Sequence, residues 1–191
     1  ETSPVLTCNR GDSNEFTGTI GIPLPSTEIS IRDDAGNELP IGSTGEICAR
    51  GPQVMTGHWQ RPDATAQVMT ADGFFRTGDV GYMDEDGYMY IVDRTKDMIL
   101  CGGFNVYPRN IEEAIYQHPS VEEVSVIGIH DEYRGQAPKA FIKLKAGADG
   151  FTFDELKAFL KDKIGKHEMI SEIDIRAELP KTLVGKLSKK E

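Results

Sequence analysis

The amino-acid sequence predicts a mainly β N-terminal part, a distorted barrel subdomain over residues 1–93, followed by a small α+β domain over residues 94–191. Three observations carry this division. Up to residue 93 the apolar stretches are short, several alternate with polar residues at the period of two of a half-buried strand, and glycine-bearing turns separate them. From Pro108 onward helical spacing enters and gives way to strand-like runs. Between the two parts lies Asp93-Arg94-Thr95-Lys96-Asp97, a charged run flanked by apolar segments, which reads as a solvated hinge or as an ordinary surface turn.

The elements follow in order. Glu28-Ile29-Ser30-Ile31-Arg32 alternates cleanly and reads as a strand, and Asp34-Ala35-Gly36-Asn37 supplies a turn. Gly45 to Gly51 alternates again, and a short helix is read at residues 64–68. Gly81-Tyr82-Met83-Asp84 and residues 87–92 flank Glu85-Asp86, a hairpin signal. In the second part Ile99-Leu100-Cys101 reads as a short strand. Pro108 opens a helix through Tyr116, because a first-turn residue has no helical use for the N–H that proline lacks. Ile111, Ala114 and Ile115 share its apolar face, and Pro119 stops it. Residues 121–129 and 139–145 read as strands. Thr152 or Asp154 caps a helix holding Leu156, Phe159, Leu160 and Ile164, and residues 172–176 form a last strand. The order β-α-β-β-α-β suits an α+β sandwich.

Bulk composition narrows the function classes. The chain has 191 residues, 38% hydrophobic, with 21 basic against 31 acidic side chains and a net charge of −10. That sign opposes nonspecific binding to nucleic acid and leaves at most peripheral membrane contact. No apolar run reaches the roughly 18 residues of a membrane span. The start, Glu1-Thr2-Ser3-Pro4, has no signal-peptide pattern and no initiator methionine, which suggests a piece of something longer. Cys8, Cys48 and Cys101 are far apart, with no CxxC, and read as reduced thiols of a cytoplasmic protein. His58, His118, His130 and His167 are scattered, with no metal-ligand spacing and no Ser/His/Asp constellation.

Three places could carry chemistry. Asp79, after Thr77-Gly78, could accept two hydrogen bonds from a vicinal diol such as ribose, or it caps a turn. Gly102 and Gly103 let backbone approach a ligand on which Phe104 could pack, or they form a tight turn. Lys186, just past Gly185, could stabilise a transferring phosphoryl group, or it is a solvated tail lysine, as Lys189 and Lys190 are read to be.

Taken in order, the blocks resemble the adenylate-forming superfamily of acyl-CoA synthetases, luciferases and peptide-synthetase adenylation domains. The chain looks most like the C-terminal third of a bacterial long-chain fatty-acid–CoA ligase, over essentially its whole length. Glu1-Thr2 is similar to the end of the family's Tyr-Gly-x-Thr-Glu motif. Residues 45–59, from Gly45-Glu46-Ile47 to Gly57-His58-Trp59, resemble its Gly-Glu-hydrophobic strand. Arg76-Thr77-Gly78-Asp79 matches the Thr-Gly-Asp motif. Residues 93–97 with Gly102-Gly103-Phe104-Asn105-Val106-Tyr107-Pro108 match the hinge and pantetheine loop, and Pro180 to Lys186 matches the closing Pro-x-x-x-x-Gly-Lys. Asp93 stands where many members have glycine, and Lys96-Asp97-Met98-Ile99-Leu100 differs from the hinge sequence of peptide-synthetase domains, which favours a CoA ligase.

The resemblance implies an acyl-CoA synthetase-like fold, with residues 1–93 ending a large adenylation domain and 94–191 forming a mobile C-terminal domain. It implies small-molecule substrates (a fatty acid, ATP and CoA), Mg²⁺ on the ATP, and a missing N-terminal domain that holds the phosphate loop and the acyl pocket. Glu1 is similar to the Mg²⁺-binding glutamate. Asp79 resembles the aspartate on the ribose hydroxyls, and Arg94 a nucleotide-contacting arginine. Lys96 falls on the hinge residue. Gly102, Gly103 and Phe104 lie in the loop that lines the pantetheine tunnel, and Lys186 matches the lysine that bridges carboxylate and α-phosphate. On this reading the chain alone is inactive. The alternative is a stand-alone nucleotide- or partner-binding module without catalysis.

Overall fold

The computed structural model describes residues 1–11, 17–183, 185 and 187–189. They fall into two compact units, Glu1–Lys96 and Asp97–Glu191.

The first unit is built on β3 (Glu28–Arg32), β4 (Gly45–Arg50), β5 (Phe75–Met83) and β6 (Met89–Arg94), paired antiparallel in that order. A two-stranded ladder precedes them, β1 (Thr7–Cys8) with β2 (Ile22–Pro23), and a short helix, α1 (Pro62–Val68), lies between β4 and β5. Register explains which side is apolar. Ile31 lies opposite Ile47, and Met83 opposite Met89. These side chains join Ile20, Ile29, Leu39 and Ile91 in one apolar cluster. The other face carries Arg32, Glu46, Cys48 and Arg76. Arg32 grips Asp72 through two hydrogen bonds of 3.0 and 2.6 Å while its guanidinium lies 4.5 Å from the centre of the Phe74 ring.

The expected barrel does not close. Each outer strand satisfies its free edge locally instead of meeting the other. Leu39 N–H donates to the Ile31 carbonyl at 2.8 Å along β3. Beside β6, Ile20 N–H donates to the Met89 carbonyl at 2.8 Å, and Met89 N–H to the Gly21 carbonyl at 2.9 Å.

A single 3₁₀ turn, Thr95–Asp97, spans the border, with Thr95 and Lys96 in the first unit and Asp97 in the second. The hairpin β7 (Ile99–Cys101) and β8 (Phe104–Val106) follows, then α2 (Pro108–Tyr116), β9 (Val121–Asp131), β10 (Gly135–Leu144), α3 (Phe153–Leu160) and β11 (Glu172–Ile175). β10 is the hub: it pairs antiparallel with β9 and β7 and parallel with β11. Val124 and Val126 of β9 sit opposite Ile142 and Ala140 of β10. On that face they pack with Ile111, Ala114 and Ile115 of α2 and Leu156 and Leu160 of α3. The α+β arrangement therefore stands, with β8 as an added strand that the sequence pattern did not reveal.

Helix α3 starts where the chemistry dictates. Thr152 Oγ1 accepts from Glu155 N–H at 3.3 Å, and the Glu155 carboxylate accepts Thr152 N–H at 2.7 Å, a reciprocal cap. The helix ends at Leu160, so Ile164 packs on the core from the turn beyond rather than from the helix.

Candidate functional site

In the first unit a cleft of about 590 Å³ is lined by Glu1, Thr77, Gly78, Asp79, Arg94, Thr95 and Lys96, among others. It gathers four residues singled out in the sequence, Glu1, Asp79, Arg94 and Lys96.

Asp79 does not cap a turn. It lies inside β5, directly opposite Arg94 of β6, and Arg94 Nε meets Asp79 Oδ1 at 3.2 Å. Residues directly opposite in an antiparallel ladder project to the same face, which is why two residues 15 positions apart share one wall. The pair stays open to solvent, with Arg94 61% and Asp79 31% exposed at the side chain. One Asp79 oxygen can face the arginine while the other is offered to a donor in the cleft.

What aims Asp79 is a bulge. Glu46 of β4 is opposite Val80 and Cys48 is opposite Arg76, so Thr77-Gly78-Asp79 face Ile47 alone. Extra residues on one strand bend it and redirect its side chains. Gly78 sits at φ +74°, a left-handed conformation that glycine adopts without penalty. Two side chains hold the bulge. Thr77 Oγ1 donates to the Ile47 carbonyl at 2.7 Å and accepts from Asp79 N–H at 3.1 Å. Glu46 Oε1 accepts Gly78 N–H at 3.1 Å, while Oε2 accepts from Arg76 Nε at 2.7 Å. The Glu46 carboxylate holds the Arg76 pKa above its ordinary value.

Sequence reading assigned no role to Glu46, Thr77, His58 or Thr95. His58 Nε2 lies 3.2 Å from Glu1 Oε1, and the Met55 N–H donates to the Glu1 carbonyl at 2.8 Å, which fastens Glu1 to the first unit. Thr95 Oγ1 is buried with no partner among the described residues, at the wall of the cleft. A buried hydroxyl without a bond is a place for a ligand or water to complete. The opposite charges of Glu46 and Arg76 were visible in the sequence; that they meet depends on the bulged register.

Among the described residues no group of three or more His, Cys, Asp or Glu is placed to hold a metal ion. A single carboxylate such as Glu1 still suits a magnesium ion carried on a nucleotide, because Mg²⁺ takes one or two protein carboxylates and fills its sphere with phosphate oxygens and water.

In the second unit Gly102 and Gly103 are the two central residues of the β7–β8 hairpin, Cys101 lying opposite Phe104. Their φ values of +59° and +84° are those of a type I′ turn, whose twist matches the strands. The tight-turn reading is therefore what these residues do structurally. The turn also presents Phe104, half exposed, stacked on His167 with ring centres 5.0 Å apart. A glycine turn beside an exposed ring leaves room for a thin ligand to lie along backbone.

Lys186 and Lys190 lie outside the described residues. Lys189 is not a free tail lysine: its Nζ is 3.0 Å from Glu112 Oε1, and Glu112 also accepts the Val126 N–H at 2.8 Å. Lys181 Nζ likewise meets Glu123 Oε1 at 2.6 Å. Leu179 is buried, so the polar tail packs from its first residue onto the sheet face opposite the helices.

Comparison with known proteins fits this architecture. Residues 1–59 match the family described as AMP-binding enzyme, and residues 110–186 match its AMP-binding enzyme C-terminal domain. The long-chain-fatty-acid–CoA ligase of Yersinia pestis is 47% identical over 191 residues, covering 100% of this chain and 34% of its own. The 2-succinylbenzoate–CoA ligase of Geobacillus kaustophilus is 43% identical over 176 residues, covering 91% of this chain and 35% of its own. The crystal structure of ATP-bound MatB from Rhodopseudomonas palustris superposes with a TM-score of 0.90 at 34% identity, covering 98% of this chain and 37% of that one. The chain thus spans about a third of the length of the curated relatives it matches. Two family matches in the right order, and relatives aligned along nearly the full chain, lead to one conclusion: this chain belongs to the AMP-binding enzyme family.

Proposed function

We propose that the chain is the C-terminal third of an AMP-forming acid–thiol ligase that activates a fatty acid with ATP and passes it to CoA. The observation that carries this reading is the Asp79–Arg94 pair, set by the bulge at the wall of a cleft that also holds Glu1 and Lys96. A carboxylate with one free acceptor oxygen beside a guanidinium suits a ribose diol next to phosphate.

In the first half-reaction a substrate carboxylate oxygen attacks the α-phosphorus of ATP. The α–β bridging bond breaks, pyrophosphate leaves, and acyl-AMP forms. In the second, the CoA sulfur, as thiolate, attacks the acyl carbon, and AMP departs with the bridging oxygen. Asp79 accepts from the ribose hydroxyls and Arg94 steadies it. Glu1 would hold Mg²⁺, whose charge offsets that of the phosphates when it is bound. Lys186 stabilises the charge that builds on the α-phosphate. Gly102, Gly103 and Phe104 line the path of the pantetheine arm. Lys96 is the pivot that lets these two sets of groups serve in turn. Support for the pivot is that the division into two compact units falls between Lys96 and Asp97, in a single 3₁₀ turn. The large domain that supplies the phosphate loop and acyl pocket is a separate requirement, so the chain by itself is expected to turn over no substrate.

The test is a half-reaction split in the complete enzyme. Lys186→Ala should slow adenylation on the order of 10²–10³-fold, the scale of one charge-stabilising donor. It should spare thioester formation when acyl-AMP is supplied. An equal fall in both halves would remove the role given to Lys186.

A further inference from the structure

Resting on the ribose-site reading above, we propose that Glu46 is a positioning residue for nucleotide recognition. By accepting the Gly78 N–H and tying down Arg76, its carboxylate fixes the bulge that points Asp79 into the cleft.

Three features set Glu46 apart from an ordinary strand glutamate. Its side chain is only 10% exposed. Both its oxygens are used within the bulge, Oε1 at 3.1 Å from the Gly78 nitrogen and Oε2 at 2.7 Å from Arg76 Nε. And the bulge has no ladder partner for Gly78, because Thr77-Gly78-Asp79 stand opposite a single residue. An unpaired backbone N–H in a half-buried bulge needs an acceptor. Without one, Gly78 is free to leave its left-handed conformation, and the strand can slide toward regular pairing. The bulge holds two residues more than the strand across from it, so regular pairing would shift β5 by two positions, about 6.6 Å along the sheet, and Asp79 would lose the place the bulge gives it at the cleft. Glu46 is therefore not part of the ribose contact but decides whether the contact exists. Arg76 keeps the carboxylate in place: it spans the same bulge from the far side and holds Oε2 so that Oε1 stays on Gly78.

Two measurements test this, one independent of any nucleotide. The first is amide hydrogen exchange of Gly78 in the 191-residue chain. Wild type should protect Gly78, whereas E46Q, whose amide nitrogen must face either the Gly78 N–H or Arg76, both of them donors, should expose it. E46D, which keeps the charge but falls one methylene short, should expose it by tenfold or more. Equal protection in wild type, E46Q and E46D would overturn the proposal. The second uses the complete enzyme and compares kcat/KM for ATP with that for 2′-deoxyATP and 3′-deoxyATP. E46D should lower the preference for ATP at least tenfold through KM, with kcat at saturating ATP falling less than threefold. E46Q should lower the preference in the same direction. A purely structural glutamate would lower all three nucleotides together and leave the preference intact, which would overturn the proposal. If E46D does not fold, protection of Gly78 and the nucleotide preference are read in E46Q against Arg76→Lys. Loss of both together in E46Q supports the proposal, and retention of both, or loss of one without the other, overturns it. A wild-type enzyme with no preference for ATP over the deoxynucleotides would sink the ribose-site reading instead, while the exchange result on Gly78 would stand by itself.

Discussion

Asp79 and Arg94 face one another across the last rung of the β5–β6 ladder, 3.2 Å apart, with most of the arginine side chain in solvent. An exposed pair of this kind contributes on the order of 0–1 kcal/mol to folding. Its geometry matters for what it presents to the cleft, and the consequences differ accordingly.

Asp79→Ala should leave the melting temperature within a few degrees of wild type. In the complete enzyme it should raise the KM for ATP roughly 10- to 100-fold, the effect of losing hydrogen bonds to a charged acceptor worth about 1.5–3 kcal/mol. Steady-state kinetics beside a thermal melt checks both. A large loss of stability with an unchanged KM would assign Asp79 to the fold.

Lys96→Pro should separate the two half-reactions. Proline fixes φ at position 96 and biases Thr95 away from the helical region, so the 3₁₀ turn loses freedom at its centre. Single-turnover assays should find one half-reaction within about threefold of wild type and the other reduced on the order of 10²-fold or more. Normal overall turnover would remove the pivot.

Burial pushes the Cys48 thiol up to about 11 from 9.0, with the nearby Glu46 carboxylate adding to the effect and Arg32 and Arg76 opposing it. The protonated thiol is therefore the native form at neutral pH. At pH 8 a thiol reagent should label exposed Cys8 and spare buried Cys48 and Cys101 until the chain unfolds. The stability sign follows. With the folded pKa raised, this contribution is complete below about pH 9 and is lost as pH climbs through about 11. A denaturant titration series from pH 7 to 11 should show the first unit weakening only at the alkaline end.

Thr152→Ala removes one half of the reciprocal cap on α3 and should cost about 1 kcal/mol. Because α3 buries Leu156 and Leu160 in the core of the second unit, the loss should show as a lower melting transition for that unit. Thr152→Ser, which retains the hydroxyl, should restore most of it.

Local signals were legible without the structure. Pro108 with Ile111, Ala114 and Ile115 marked α2, because helix start and face are set by residues within one or two turns. The alternation in Glu28–Arg32 marked β3 for the same reason. The ordered motifs identified the family before any contact was seen, and Asp79, Arg94, Glu1 and Lys96 were among the residues they picked out. Residues 99–107 were read as one strand and a loop, because a three-residue strand such as β8 carries too few positions to establish a period.

What the sequence by itself determined was most of the element types and the list of candidate residues, since each depends on neighbours along the chain. Only the tertiary structure decided that the barrel stays open, that Lys189 is paired with Glu112, and that Asp79 is turned into the cleft by a bulge held by Glu46. Those outcomes depend on register between strands and on partners 30 to 77 residues away, and the period of a strand says which residues share a face without saying what stands across from them.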